Sequence, residues 1–98
     1  MPFTMTTVTT KPADKQWWNE VNPDSATRYG NFCSSYPGVV SVQAGLSQTD
    51  PNKWESVIVF ESQAKCQEFA NACKTNTDFT ARKTYLNANG FNVAFTFA

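Results

Sequence analysis

The chain has 98 residues, 14% of them aromatic and 16% charged, with eight basic and eight acidic side chains and a formal net charge of zero. The balanced charge, without any basic run, disfavours nucleic acid or an anionic membrane as the main partner, because both need clustered Lys and Arg. Histidine is absent, which removes the commonest general base and the commonest metal or haem ligand.

Phe3 to Thr10 is rich in β-branched residues and predicts a strand. Thr4, Thr6, Val8 and Thr10 share one face; Phe3, Met5, Thr7 and Thr9 share the other. Pro12 to Val21 predicts a short helix, because Pro12 suits a first turn and Asp14 the positive end of the macrodipole. Its apolar side is Trp17, Trp18 and Val21. Adjacent residues do not share a helix face, so one tryptophan is expected in the core and the other at a pocket wall or a dimer edge. Asn22-Pro23-Asp24 restarts the helix with an N-cap, a first-turn proline and an anion. Ala26, Tyr29, Phe32, Cys33 and Tyr36 then follow at helical spacing, and Pro37-Gly38 ends the run.

Val39 to Gln48 predicts a second strand, with Val40, Val42, Ala44 and Leu46 on one face and Val39, Ser41, Gln43, Gly45 and Ser47 on the other. Asp50-Pro51-Asn52-Lys53 is a turn in which Pro51 presets φ and Asp50 and Asn52 bond nearby backbone. Trp54 to Phe60 is a third strand, apolar on both faces: Val57 and Val59 on one, Ile58 and Phe60 on the other. Ser62 caps a helix with the stripe Cys66, Phe69, Ala70 and Cys73. Asn76 or Thr77 caps another, carrying Phe79, Ala81, Tyr85, Leu86 and Ala88 up to the stop signal Asn89-Gly90. Phe91 to Ala98 alternates as a fourth strand.

The order β-α-β-β-α-β, with each helical crossover split in two, predicts one α+β domain over 1–98. Its architecture is a ferredoxin-like sandwich with a four-stranded antiparallel sheet in the order 4-1-3-2 and helices on one face. Nothing in one chain is left to cover the second face of the third strand. A second copy covers it most simply, so a homodimer through the open sheet face is expected. The low charged fraction agrees with surface hidden in an oligomer. Cys33, Cys66 and Cys73 lack metal-site spacing and read as small buried apolar residues, which fits a reducing cytoplasm. The opening MPFTMTTVTT has neither the charged start nor the apolar centre of a signal peptide, and no stretch is long enough to span a membrane.

The Tyr36-Pro37-Gly38-Val39-Val40 junction, the hairpin after it and the Phe60-Glu61-Ser62 step into the next helix carry a resemblance. The pattern resembles the dimeric α+β barrel superfamily, which includes the antibiotic-biosynthesis monooxygenase-like and stress-responsive barrel proteins. The resemblance implies sheets packed against each other across a dimer and a pocket between sheet and helices in each subunit. Some members oxidise phenols or quinols with oxygen and no cofactor; others degrade haem. Haem-degrading relatives typically bind iron through histidine, which this chain lacks. The cofactor-free oxygenases use Trp, Asn, Tyr and often His to hold and deprotonate substrate; Trp17, Trp18, Asn19, Tyr29, Arg82, Tyr85 and Asn92 supply part of such a set, without a strong base.

The ligand-binding candidates are therefore Trp17, Trp18, Tyr29, Arg82, Tyr85 and Asn92. Arg82 and Tyr85, three apart on one helix, can clamp an anionic or phenolic group; a surface cap beside a half-buried ring is the plainer role. Asn92 and Thr96, with Ser41 and Gln43, are expected on the polar part of the second sheet face, where they bond water or a dimer mate. No phosphate loop, nucleophile elbow or metal cluster occurs, so no catalytic residue, metal or cofactor is assigned. Three functions are weighed: binding of a small apolar or aromatic molecule between sheet and helices, cofactor-independent monooxygenation of a phenol or quinol, and a regulatory ferredoxin-like module.

Overall fold

A computed structural model describes the whole chain, residues Met1–Ala98. Its elements are β1 (Phe3–Thr10), α1 (Trp18–Val21), α2 (Pro23–Ser35), β2 (Val39–Leu46), β3 (Lys53–Phe60), α3 (Gln63–Cys73), α4 (Thr77–Ala88) and β4 (Asn92–Phe97). The four strands form one antiparallel sheet in the order β2-β3-β1-β4. This is the α+β ferredoxin-like arrangement expected, with each crossover broken into two helices.

Local chemistry sets the breaks. Asn22 Oδ1 accepts from the Ser25 N–H at 3.1 Å, Ser62 Oγ from Lys65 at 3.3 Å and Asn76 Oδ1 from Phe79 at 2.9 Å. Such caps contribute about 1 kcal/mol each. At Gly38 the backbone adopts φ +93°, which an L side chain rarely takes, and it delivers the chain from α2 into β2.

Two local readings are corrected. Pro12 does not open a helix: the segment before Trp17 is a turn closed by Lys15 N–H to the Pro12 carbonyl at 3.1 Å. The helix starts at Trp18 because Trp17 is extended, with its N–H donating to Glu20 Oε1 at 3.0 Å. Val21, expected on the apolar side, is exposed. In β2 a register shift between Val39 and Ser41 exchanges the first two valines. Val39 packs on the core and Val40 is 62% exposed, the reverse of a regular alternation.

Register sorts the sheet into two faces. Met5, Thr7 and Thr9 lie opposite Ile58, Ser56 and Trp54, and these six face the helices. The intervening Thr4, Thr6, Val57 and Val59 therefore face the other way. The core joins Ile58 and Phe60 of the sheet to Cys33 of α2 and Cys66, Phe69 and Cys73 of α3. All three cysteines are buried and free. Phe69 is the hub, with ring centroids 5.4 Å from Phe60, 5.4 Å from Tyr36 and 5.7 Å from Phe32.

The helix layer is tied together by Asp78. Its carboxylate accepts from Ser25 Oγ at 2.8 Å and from Arg28 Nη2 at 3.0 Å, fastening α4 to α2. The Arg28 hydrogen bond, then that of Ser25, holds the Asp78 carboxyl below its ordinary pKa. No helix is long and apolar enough to cross a membrane.

Candidate functional site

Between the helix layer and the inner face of the sheet lies a cavity of about 460 Å³. That is within the usual range for a small-molecule site. Of its 24 lining residues, 18 are hydrophobic, so water inside it has few partners.

The floor is the sheet. Thr7 and Ser56 stand opposite each other on β1 and β3, Thr9 is the next inward residue on β1, and Met5, Ile58, Val42 and Phe97 surround them. Thr9 is 1% exposed. The roof is built by small and aromatic residues. Ala26, Gly30 and Cys33 recur on one face of α2 and leave room where larger side chains would fill it. A Cβ placed on Gly30 would meet no atom within 4 Å. Phe95 and Phe97 line the open side at the β4 edge, each more than half exposed.

Trp17 and Trp18 both line the cavity. Trp17 precedes α1 in extended backbone, so its side chain leaves in its own direction. It packs at 5.8 Å on both Trp54 and Phe91 and closes one end. Trp18 lies 5.3 Å from Tyr85, and its indole Nε1–H is buried without a hydrogen-bond partner. An unmade hydrogen bond of this kind costs about 1–3 kcal/mol.

The polar groups inside are few. Arg82 of α4 reaches the floor, its Nη2 3.4 Å from Thr9 Oγ1. Tyr29 sits beside Cys33 and Cys73; burial raises its pKa well above the ordinary value. Burial also raises the Cys33 thiol, and pushes Cys73 up to about 11. The Arg82 pKa is lowered, chiefly by burial. At neutral pH the guanidinium is still protonated, while the phenol and both thiols are neutral. No lining residue is an Asp, Glu, Lys or His, so the cavity holds no resident general base for neutral pH.

Four of the six sequence candidates, Trp17, Trp18, Tyr29 and Arg82, line this one cavity, together with Asn19. Tyr85 stands behind it: its ring packs on Trp18 and Phe91, and its hydroxyl donates to the Gln16 carbonyl at 2.6 Å. Asn92 lies on the opposite face of the sheet, paired with Thr10. Alternation along β4 puts it there, since Phe95 and Phe97 face the cavity. The floor residues Thr7, Thr9 and Ser56 were not singled out from the sequence. The signal was present: Thr7 and Thr9 share a strand face with Phe3 and Met5, so they are inward polar groups.

The chain shares its fold with solved structures of antibiotic biosynthesis monooxygenase-like proteins. SnoaB, a cofactor-independent oxygenase from Streptomyces nogalater, superposes with a TM-score of 0.69 at 13% identity, over 99% of this chain and 90% of that one. A protein from Pseudomonas aeruginosa gives 0.72 at 12% identity, over 99% and 91%. A proposed antibiotic biosynthesis monooxygenase from Nitrosomonas europaea gives 0.74 at 9% identity, over 99% and 88%. No protein-family model and no curated protein matches the sequence.

Proposed function

We propose that the protein binds a small apolar or aromatic molecule between its sheet and helices, with Trp17, Trp18, Tyr29 and Arg82 in contact with it. The observation that carries this reading is the apolar cavity of about 460 Å³ at the centre of the helix–sheet layer. A 98-residue domain gives up packing energy to keep such a space open, because interiors otherwise close to near-crystalline density. Tyr85 acts from behind as a support for Trp18.

The experiment is a Gly30→Leu substitution. A Cβ there meets no atom within 4 Å, the rest of the side chain extends into the cavity that Gly30 lines, and replacing a helical glycine stabilises by about 0.5–1 kcal/mol. The variant should melt no lower than the parent, yet bind a naphthalene-type ligand at least tenfold more weakly, read from quenching of tryptophan fluorescence. Full binding by a folded Gly30→Leu variant would remove the cavity from the account.

A second copy of the chain completes the outer face in this reading. Val57 and Val59 stand there with Thr4, Thr6 and Ala94, and no element of the same chain covers them. The accessible surface is 6037 Å², where a compact monomer of this mass has about 5,600 Å². The buried free cysteines suit a reducing cytoplasm.

A second function is supported by the fold shared with a cofactor-independent oxygenase. In it the bound molecule is a phenol that dioxygen oxidises to a quinone. One oxygen atom enters a ring carbon, the other leaves as water with the two hydrogens the substrate gives up, and all four electrons come from the substrate. With no base in the cavity, such a substrate must be acidic enough to ionise by itself. Oxygen uptake with a panel of quinols separates the two readings; ligand-induced melting shifts without uptake leave plain binding.

A further inference from the structure

Arg82 is the lining side chain whose charge an apolar ligand leaves unused. It projects from the middle of α4, half-buried, over the hydroxyls of the sheet floor. A guanidinium presents five N–H donors in a fixed planar fork. The contact it makes is to Thr9 Oγ1 at 3.4 Å, near the outer limit of a hydrogen bond.

No acidic side chain answers it. The ion pairs of the protein are Arg28 with Asp78 and Lys65 with Glu68. No carboxylate lines the cavity. Its titratable neighbours Tyr29 and Cys33 are neutral at physiological pH, since burial raises both. A cation drawn partly out of water without a counter-charge is unfavourable, and proteins seldom keep one without a use. The rest of the chamber is apolar and aromatic, which suits the body of a ligand but not its charge.

From this imbalance we infer that the ligand carries a planar anionic group, a carboxylate or a phenolate, which lies against Arg82 beside Thr9 while its apolar body fills the aromatic remainder. The inference rests on the binding reading above and narrows it to one chemical class. Arg82 is then the specificity-determining residue: it selects the ionised form of an aromatic acid over a neutral molecule of the same shape. Thr7 and Ser56 offer hydroxyl donors on the floor beside the same position.

The test compares 2-naphthoate with 2-naphthamide, which share a ring and nearly a shape and differ in charge. Affinities are measured by tryptophan quenching at neutral pH and low salt. The naphthoate should bind about tenfold to a hundredfold tighter, the usual worth of a charge-assisted hydrogen bond, and its advantage should shrink as sodium chloride rises. Arg82→Gln should bring the naphthoate down to the amide's affinity and leave the amide unchanged, while Arg82→Lys should keep part of the preference. Equal affinities in the parent protein overturn the inference and leave the binding reading standing. Binding of neither ligand up to millimolar concentration overturns both. The comparison within the parent protein decides the matter even if an Arg82 variant does not fold.

Discussion

A carboxylate placed on the outer sheet face should break the proposed dimer while leaving the chain folded. Val59 is the chosen position, because it lies on the outer face of the central strand β3, paired with Thr4 and Ser41. It is already half-buried by its own strand neighbours, so a seam adds about half of the 1.5–3 kcal/mol of a full valine burial, about 1 kcal/mol per chain. An unpaired polar group left in the seam loses at least about 1 kcal/mol more. Two-fold symmetry counts both effects twice, which gives about 4 kcal/mol per dimer and about a thousandfold in Kd. Sedimentation equilibrium of the parent and of Val59→Glu reads this directly, with circular dichroism as the check on folding. A parent that is monomeric at micromolar concentration refutes the reasoning. So does a folded Val59→Glu protein that associates as tightly as the parent.

Three further outcomes follow from the packing. Phe69→Ala removes the ring on which Phe32, Tyr36 and Phe60 converge and should destabilise by about 3–5 kcal/mol, measured by urea unfolding; a loss under about 1 kcal/mol would contradict its place as hub. Gly38→Ala places a Cβ 2.7 Å from Lys65 Cγ at a positive φ and should lose about 1–3 kcal/mol, whereas an unchanged melting temperature would mean that the junction relaxes freely. Stability should also fall at alkaline pH. Burial raises the Cys33 and Cys66 thiols, and Cys73 to about 11, from an ordinary 9.0. The native state thus holds these protons more tightly than the unfolded chain, and their contribution is whole below pH 9 and lost as pH rises toward 11. Urea unfolding at pH 8 and pH 11 measures it, and equal stabilities would contradict the burial of the thiols.

Much of the fold was legible because its signals are local. The extent of β1 follows from β-branched density, and Asn22 and Ser62 announce their helices by capping chemistry that needs no tertiary context. The bulge at Val39 was not legible, since a one-residue shift leaves no mark in composition and is decided by Phe60 drawing Val39 inward. The start of α1 was misjudged for a related reason. Pro12 permits a first turn, but Glu20 bonding back to Trp17 fixes the start elsewhere.

The candidate site was half legible. The resemblance to cofactor-free oxygenases marked Trp17, Trp18 and Tyr29, yet nothing in the sequence says that Trp17 stands outside the helix while its ring joins that of Trp18 at one cavity. The emptiness itself is written in small residues, Ala26 and Gly30, whose meaning appears only once the sheet beneath them is in place. Thr9 and Arg82 are far apart in the chain and meet only through the sheet and α4.

The most direct test of the account is a titration of isotope-labelled protein with 2-naphthoate, followed by two-dimensional NMR of backbone amides, indole N–H groups and the Arg82 guanidinium. The account predicts shifts concentrated at the Trp17 and Trp18 indoles, the Thr7 and Thr9 amides and Arg82 Nε, with Val57 and Val59 on the outer face unmoved. Shifts centred on Val57 and Val59, or none at millimolar ligand, would contradict it.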